Sequence, residues 1–225
     1  MIRALKRDGF LWHHGDGDHE DHLGYEPHEA NLEPVLRSLT GHDGKVFLDV
    51  GAHVGHWTVR IAPQAAKVIA VEANPDTARV LRINVSINEL PNVVVYQCAA
   101  WDEDTTLTLF NPRAGEGVER CGGTRTLPGE GGTVPARRLD VLLEDEPAID
   151  VVKLDVEGAD LHALEGMRGL IGRHGPVLFI ERHDMYGYYE FPDMEKKLAS
   201  LGYVYGHSGT FAGAQYIVAR PGNSL

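Results

Sequence analysis

The sequence predicts an α/β domain built on a doubly wound, mostly parallel sheet, and three observations carry that expectation. In 46–72, VFLDVGAHVGHWTVRIAPQAAKVIAVE, an apolar run meets Asp49 and a small-residue loop follows. Helically spaced Trp57 and Ile61 come next, then a second apolar run ending on Glu72. This is strand, glycine loop, helix, strand. Short apolar runs then recur at 93–96, 151–154 and 177–180, separated by helix-like or loop segments, as crossover connections between parallel strands require. Finally, 203–205 and 215–219 read as two strands around a glycine-rich turn, an antiparallel hairpin that brings the count to seven.

The bulk properties suit this. A chain of 225 residues, 43% hydrophobic and 24% charged, is one domain with a sizeable core. A net charge of −12 disfavours generic nucleic-acid binding, which needs clustered Lys and Arg. Cys98 and Cys121 are too few for a disulfide scaffold, so a reducing cytoplasm is expected. No 18-residue apolar span or signal peptide is evident, so no membrane partner is expected. The sequence says nothing about oligomeric state.

Taken in order, residues 1–44 form an N-terminal segment, and the main domain runs from 45 to 225. The segment is rich in histidine and acid: His13, His14, Asp16, Asp18, His19, Glu20, Asp21, His22 and His28. Broken by Gly15, Gly17 and Gly24, this run reads as a solvated loop rather than a metal site. Ala30, Leu32, Val35, Leu36 and Leu39 then have helical spacing, ending near Gly41. This helix should bring Tyr25 and Glu26 to the edge of the ligand pocket. Asn74-Pro75 is a helix start, a capping side chain before a proline whose missing N–H costs nothing. Ala78, Leu81 and Val85 give that helix its apolar face. Residues 102–140 break the alternation. Runs 106–110 and 133–137 look like a pair of inserted strands, and the seven glycines within 115–132 suit a loop over the substrate. A short helix starts at Leu139. Leu161, Leu164, Met167 and Ile171 form one helical stripe of core residues.

The glycine loop narrows the ligand. A dinucleotide fingerprint needs G-x-G-x-x-G, but from Gly51 the later glycine positions hold His53 and His56. No P-loop is present. Asp49 would meet a pyrophosphate with like charge, whereas it suits a cation. S-adenosylmethionine (SAM) carries an ammonium and a sulfonium and no phosphate, and Glu72, 23 residues after Asp49, is placed for its ribose diol. The predicted cofactor-binding set is therefore Glu26, Asp49, Gly51, Ala52, His53, Gly55, Glu72, Ala73, Asn74, Gln97, Cys98, Ala99 and Asp155. Gln97, Cys98 and Ala99 are included because the C-terminal ends of the strands line the crevice of such a sheet.

The chain resembles the FkbM family of SAM-dependent methyltransferases. The matching pieces are FLDVGAHVGHWTVRIA, VEANPDTARVLRINVSIN, CAAWDEDTTLTLF, VPARRLDVLL, DVVKLDVEGADLHALEGM and VLFIERHD, in the family's order over roughly 25–220. The K-x-D-V-E-G run is the most specific of them. The resemblance implies a Rossmann-like class I methyltransferase fold and methyl transfer, usually to a hydroxyl of a sugar, polyketide or other secondary metabolite. In some members peptide side chains are N-methylated. His53 departs from the asparagine usual in the family's loop.

Methyl transfer to a weakly nucleophilic hydroxyl needs alignment and a base. The groups at the mouth are Asp155, Glu157, Glu181 and His183. Asp155 is expected to face the sulfonium and ammonium. His183, whose imidazole ordinarily titrates near neutral pH, is the expected base, with Glu157 or Glu181 orienting it or binding the acceptor. The site is read without a metal, but a divalent ion held by Asp155, Glu181 and His183 is kept as a variant. Because imidazole is a poor Mg²⁺ ligand, Mn²⁺ or Zn²⁺ would suit that variant better. Expected partners are a small-molecule acceptor and no nucleic acid. Two alternatives remain: an N-methyltransferase for peptide or RNA, though no N-P-P-Y-type amine motif is present, and a non-catalytic SAM-binding module.

Overall fold

The computed structural model describes residues 4–13, 33–40, 44–110, 125–127, 134–184, 188–211 and 214–222. It begins with an unanticipated hairpin, β1 (Ala4–Arg7) against β2 (Phe10–His13). Asp8 and Gly9 turn it with φ of 52° and 86°, the left-handed pair that a tight hairpin turn requires. Its anchor is Trp12, 1% exposed, which stacks on His56 and lies 5.2 Å from the buried Arg60 guanidinium. Arg60 in turn pairs with Asp8 at 3.1 Å. His13 is thus in a strand, while the rest of the histidine-rich run, His14 to His28, lies outside the described residues. The expected helix follows as α1 (Glu33–Thr40).

The main sheet starts with β3 (Val46–Val50), then α2 (His56–Ile61), β4 (Lys67–Glu72), α3 (Pro75–Ile87) and β5 (Val93–Gln97). Asn74 caps α3 through its side chain, accepting from Asp76 N at 2.9 Å, with Pro75 in the first turn. A second, small sheet follows: β6 (Ala99–Ala100), β7 (Thr105–Phe110), β8 (Arg125–Leu127) and β9 (Val134–Arg137), in the order β6-β9-β7-β8. The excursion therefore has four strands rather than two, and it begins at Ala99. Most of the glycine-rich 115–132 lies outside the described residues.

The chain returns through α4 (Leu139–Leu142), β10 (Val151–Leu154), α5 (Asp160–Gly166), α6 (Arg168–His174), β11 (Val177–Glu181), α7 (Phe191–Ser200), β12 (Tyr203–Phe211) and β13 (Ala214–Pro221). The stripe expected to be one helix is split at Met167. Asp140 reaches across from α4 to accept from Gly169 N at 3.1 Å and Leu170 N at 2.6 Å, giving the second piece its own N-terminal partner.

The seven strands lie in the order β12-β13-β11-β10-β3-β4-β5, with only the β12 and β13 pairings antiparallel. The expected Rossmann-like sheet with its antiparallel closing hairpin is present. Period two sorts its side chains. Leu48, Val50, Val152, Leu154 and Ile180 pack among Leu164, Met167 and Met194, while Phe47, Val68, Val151 and Phe179 join Leu36, Trp57 and Tyr216 on the other face. That alternation carries Asp49, Lys153 and Glu181 onto the Phe47 face. The strand order reverses between β3 and β10, and at such a switch point the C-terminal strand ends open a crevice.

Candidate active site

Two chemically different tips meet at that crevice. The first is the glycine loop after β3. Gly51 N and Ala52 N both donate to Val71 O, at 2.9 and 3.0 Å, which folds the loop back over β4. Gly51 has φ +82°, and a Cβ there would stand 1.7 Å from the carbonyl oxygen of Asp155. Only glycine permits the loop to touch the end of β10. His53 has φ +52°, a left-handed conformation that Asn, Asp and His tolerate best. This gives a backbone reason for a histidine where the family has asparagine.

His53 N donates to Glu72 Oε2 at 2.8 Å, while Glu72 Oε1 accepts from Asn74 N and Thr77 Oγ1 at 2.9 and 3.0 Å. Burial pushes the Glu72 carboxyl upward against these hydrogen bonds. Asp49 is fully buried. Its Oδ2 accepts from Thr58 Oγ1 at 2.7 Å, and its Oδ1 has no hydrogen-bond partner among the described residues. Burial raises its pKa, with Lys153 opposing. Gln97 Nε2 ties the end of β5 to Ala73 O at 3.0 Å. Cys98 and Ala99 are buried, and burial pushes the Cys98 thiol up to about 11. Glu26 lies outside the described residues.

The second tip, after β10 and β11, is made of side chains. Lys153 Nζ donates to Asp155 Oδ2 at 2.8 Å, and Asp155 Oδ1 lies 3.5 Å from His183 Nε2. Glu157 Oε2 is 3.8 Å from the same nitrogen, on a residue with φ +51°. Behind the ring, His183 Nδ1 meets Asp160 at 3.2 Å, and Asp160 is fully buried and also accepts from Gly158 N at 3.1 Å. Tyr216 Oη donates to Glu181 Oε2 at 3.1 Å, and Glu181 hydrogen-bonds to Asp155.

This packing sets the protonation states. Burial opposes charge on Asp155, but Lys153 and then His183 outweigh it and hold its carboxyl at about 2. Burial, then the Asp155 charge, pushes Glu181 up to about 8. Burial works against an imidazolium at His183, yet the hydrogen bond and charge of Asp160, with Asp155 and Glu181, raise it to about 10. The direction is upward from the near-neutral titration expected of the imidazole, because Asp160, Asp155 and Glu181 all favour its charged form.

The structure thus brings together Asp155, Glu157, Glu181 and His183, and sets Asp49, Gly51 and Glu72 beside them. Lys153 and Asp160 were not expected to take part. Both lie within the K-x-D-V-E-G-x-D run, but Lys153 read as a strand residue and Asp160 was not singled out. The arrangement suits SAM better than a phosphate ligand: an uncommitted buried carboxylate oxygen under the glycine loop and acids at the tips of β4 and β10 match a ligand bearing two cationic centres.

Comparison with known proteins agrees. The family description "Methyltransferase FkbM domain" fits residues 49–205. Among solved structures, the FkbM methyltransferase of Methylobacillus flagellatus KT superposes with a TM-score of 0.56 at 19% identity, over 79% of this chain and 44% of that one. The TYW2 protein of M. jannaschii, solved in complex with AdoMet, gives 0.54 at 15% identity over 97% and 84%. Among curated proteins, a ribosomal RNA small subunit methyltransferase A of Anaeromyxobacter dehalogenans is 43% identical over 54 residues, which is 24% of this chain and 19% of that protein. The 23S rRNA (uracil(1939)-C(5))-methyltransferase RlmD of Shewanella amazonensis is 33% identical over 79 residues, 35% of this chain and 18% of that protein. The chain spans less than a fifth of these curated relatives, whereas the family match takes in both strand tips, and by that match the chain belongs to the FkbM family of methyltransferases.

Proposed function

We propose that the chain is a SAM-dependent O-methyltransferase acting on a hydroxyl of a sugar or other small metabolite. The observation that carries this reading is the cluster of Asp155, Glu157, Asp160, Glu181 and His183 beside the glycine loop. A hydroxyl, unlike a neutral amine, needs a proton acceptor as its oxygen attacks, and this tip is rich in them. SAM would be held by Asp49, Glu72, Asp155 and the backbone of 51–55. When bound it supplies a methyl group on a sulfonium.

In the transfer a carbon–oxygen bond forms as the carbon–sulfur bond breaks, its electron pair stays on sulfur, and the hydroxyl proton leaves to a base. Because the acids around His183 favour its protonated form, we assign the base to Glu157, whose side chain is 34% exposed against 22% for Asp155 and 0% for Asp160. His183, fixed by Asp160, lines up the Asp155 and Glu157 carboxylates and stabilises their charge. Incubation with methyl-labelled SAM and a panel of glycosides and polyols, read by mass spectrometry, tests this. Label on oxygen, with Glu157→Gln losing turnover but keeping SAM affinity, is the expected result.

A second reading has specific support, because the curated relatives matched act on ribosomal RNA. Transcribed RNA and a peptide panel belong in the same assay. Label transferred to RNA or to a peptide nitrogen, and to no hydroxyl compound, would replace the first reading.

A further inference from the structure

We infer that the tips of β10 and β11 form a site for one divalent transition-metal ion, with Asp155, Glu181 and His183 as its protein ligands. One donor atom from each lies within 4.8 Å of the other two, close enough for small side-chain adjustments to bring all three around one ion. Each donor is also held from behind. His183 Nδ1 is fixed on the buried Asp160, so that Nε2 faces the carboxylates, and the ion would take the place of any proton on Nε2. Glu181 is held by the Tyr216 hydroxyl, and Asp155 by Lys153 on the oxygen facing away from His183. Outer partners that orient every ligand are a regular property of metal centres and are not needed by a plain salt bridge.

The lining supports the same conclusion. Among the described residues, the acids Asp49, Asp155, Glu157, Asp160 and Glu181 gather around Lys153 and His183. The neighbouring Arg182 guanidinium pairs with Asp184 at 2.5 Å and lies over the Phe191 ring. Two oxygens and one imidazole nitrogen suit Mn²⁺, Fe²⁺ or Zn²⁺ more than Mg²⁺. Three protein ligands leave positions open for the acceptor hydroxyl, whose pKa the ion would lower, while Glu157 at the rim remains the proton acceptor. That use of the ion rests on the hydroxyl-methylation reading; its binding does not.

The test is a titration of the full chain with Mn²⁺ after dialysis against EDTA, with neither SAM nor acceptor present, followed by calorimetry and electron paramagnetic resonance. Mn²⁺ is the probe because it is paramagnetic, so that resonance reads its binding directly. Saturable binding of one ion per chain is expected, lost in Glu181→Gln and weakened about 10- to 100-fold in Asp160→Asn, which removes an outer partner and no ligand. Tyr216→Phe, the mildest change, should weaken it less and covers the case in which the other variants fail to fold. Glu72→Gln should bind as the unaltered chain does. Absence of saturable binding, or binding that all three site variants retain in full, overturns the inference. If the ion binds but no hydroxyl compound is methylated, the metal site stands and the acceptor reading falls. If hydroxyl methylation runs at full rate in chelator and no ion binds, the reverse holds.

Discussion

The tips of β3 and β4 and the tips of β10 and β11 stand side by side on one edge of the sheet, yet they are built in opposite ways. The first is backbone. Loop N–H groups converge on the Val71 carbonyl and the Glu72 carboxylate, and glycine is required because main chain meets main chain. The second is side chain. Charged groups meet charged groups, and the backbone serves to hold them out. A backbone site fixes where a ligand lies and tolerates almost no substitution. A side-chain site fixes what chemistry occurs and can be altered residue by residue.

The largest expected effect tests this contrast directly. Gly51→Ala drives a Cβ into a carbonyl inside the sheet, and should cost on the order of 4 kcal/mol or more, seen in thermal or urea unfolding. Gly158→Ala is the matching change at the other tip, where φ is +97° but the Cβ would meet the side chain of Tyr188. Even Tyr188 Cβ would lie 2.8 Å away, so the irregular segment that carries Tyr188 must shift as well, and with the left-handed backbone the cost should be about 2–3 kcal/mol, still below that of Gly51→Ala. Equal losses at both glycines would erase the distinction.

Next in size, Glu72→Gln should lower SAM affinity about 10- to 100-fold, the worth of one charge-assisted hydrogen bond at ~1.5–3 kcal/mol. Calorimetry would measure it, and the KM for an acceptor should be unchanged. Asn84→Ala probes the hairpin's link to the first tip. Asn84 accepts from His13 N at 2.7 Å and donates to Val54 O, inside the glycine loop, at 2.8 Å. Its loss strands both buried groups, costing about 1–3 kcal/mol in unfolding, and should loosen SAM binding as well. The smallest effect concerns Cys98, buried with its thiol held at about 11. The thiolate is the reactive form, so iodoacetamide at pH 8 should leave Cys98 unlabelled in the native chain and label it after unfolding, as read by peptide mass spectrometry.

The same contrast explains what could be read from the sequence. The first tip is local: Asp49, Gly51, Gly55 and Glu72 sit within one strand–loop–helix–strand unit, and spacing alone ordered them. The parallel strands were legible because strands buried on both faces are unbroken apolar runs. The second tip is assembled across the chain. Lys153 looked like any interior strand residue until the register set it beside Asp49. Asp160 carried no signal of its own until the segment after β11 placed His183 over it. The protonation of His183 depends on carboxylates from two separate segments, so no single stretch could reveal it. One local signal was present but outweighed: Asp8-Gly9 is a hairpin turn, hidden by the histidine-rich run after it. The split at Met167 was not local, because it depends on Asp140, which is distant in sequence.

Gly51 lies against the Asp155 carbonyl, so donor and acceptor sides share a main-chain contact rather than a seam of side chains. The spacing between a bound methyl donor and whatever replaces the present acceptor is then a property of the scaffold. The segments around the crevice can be exchanged for a new substrate without realigning the donor. For directed evolution this marks where to diversify and where to leave the chain untouched: libraries in the segments around the crevice sample acceptors on a fixed rail, a library at Glu157 removes the base, and any library that includes Gly51 samples mostly unfolded chains.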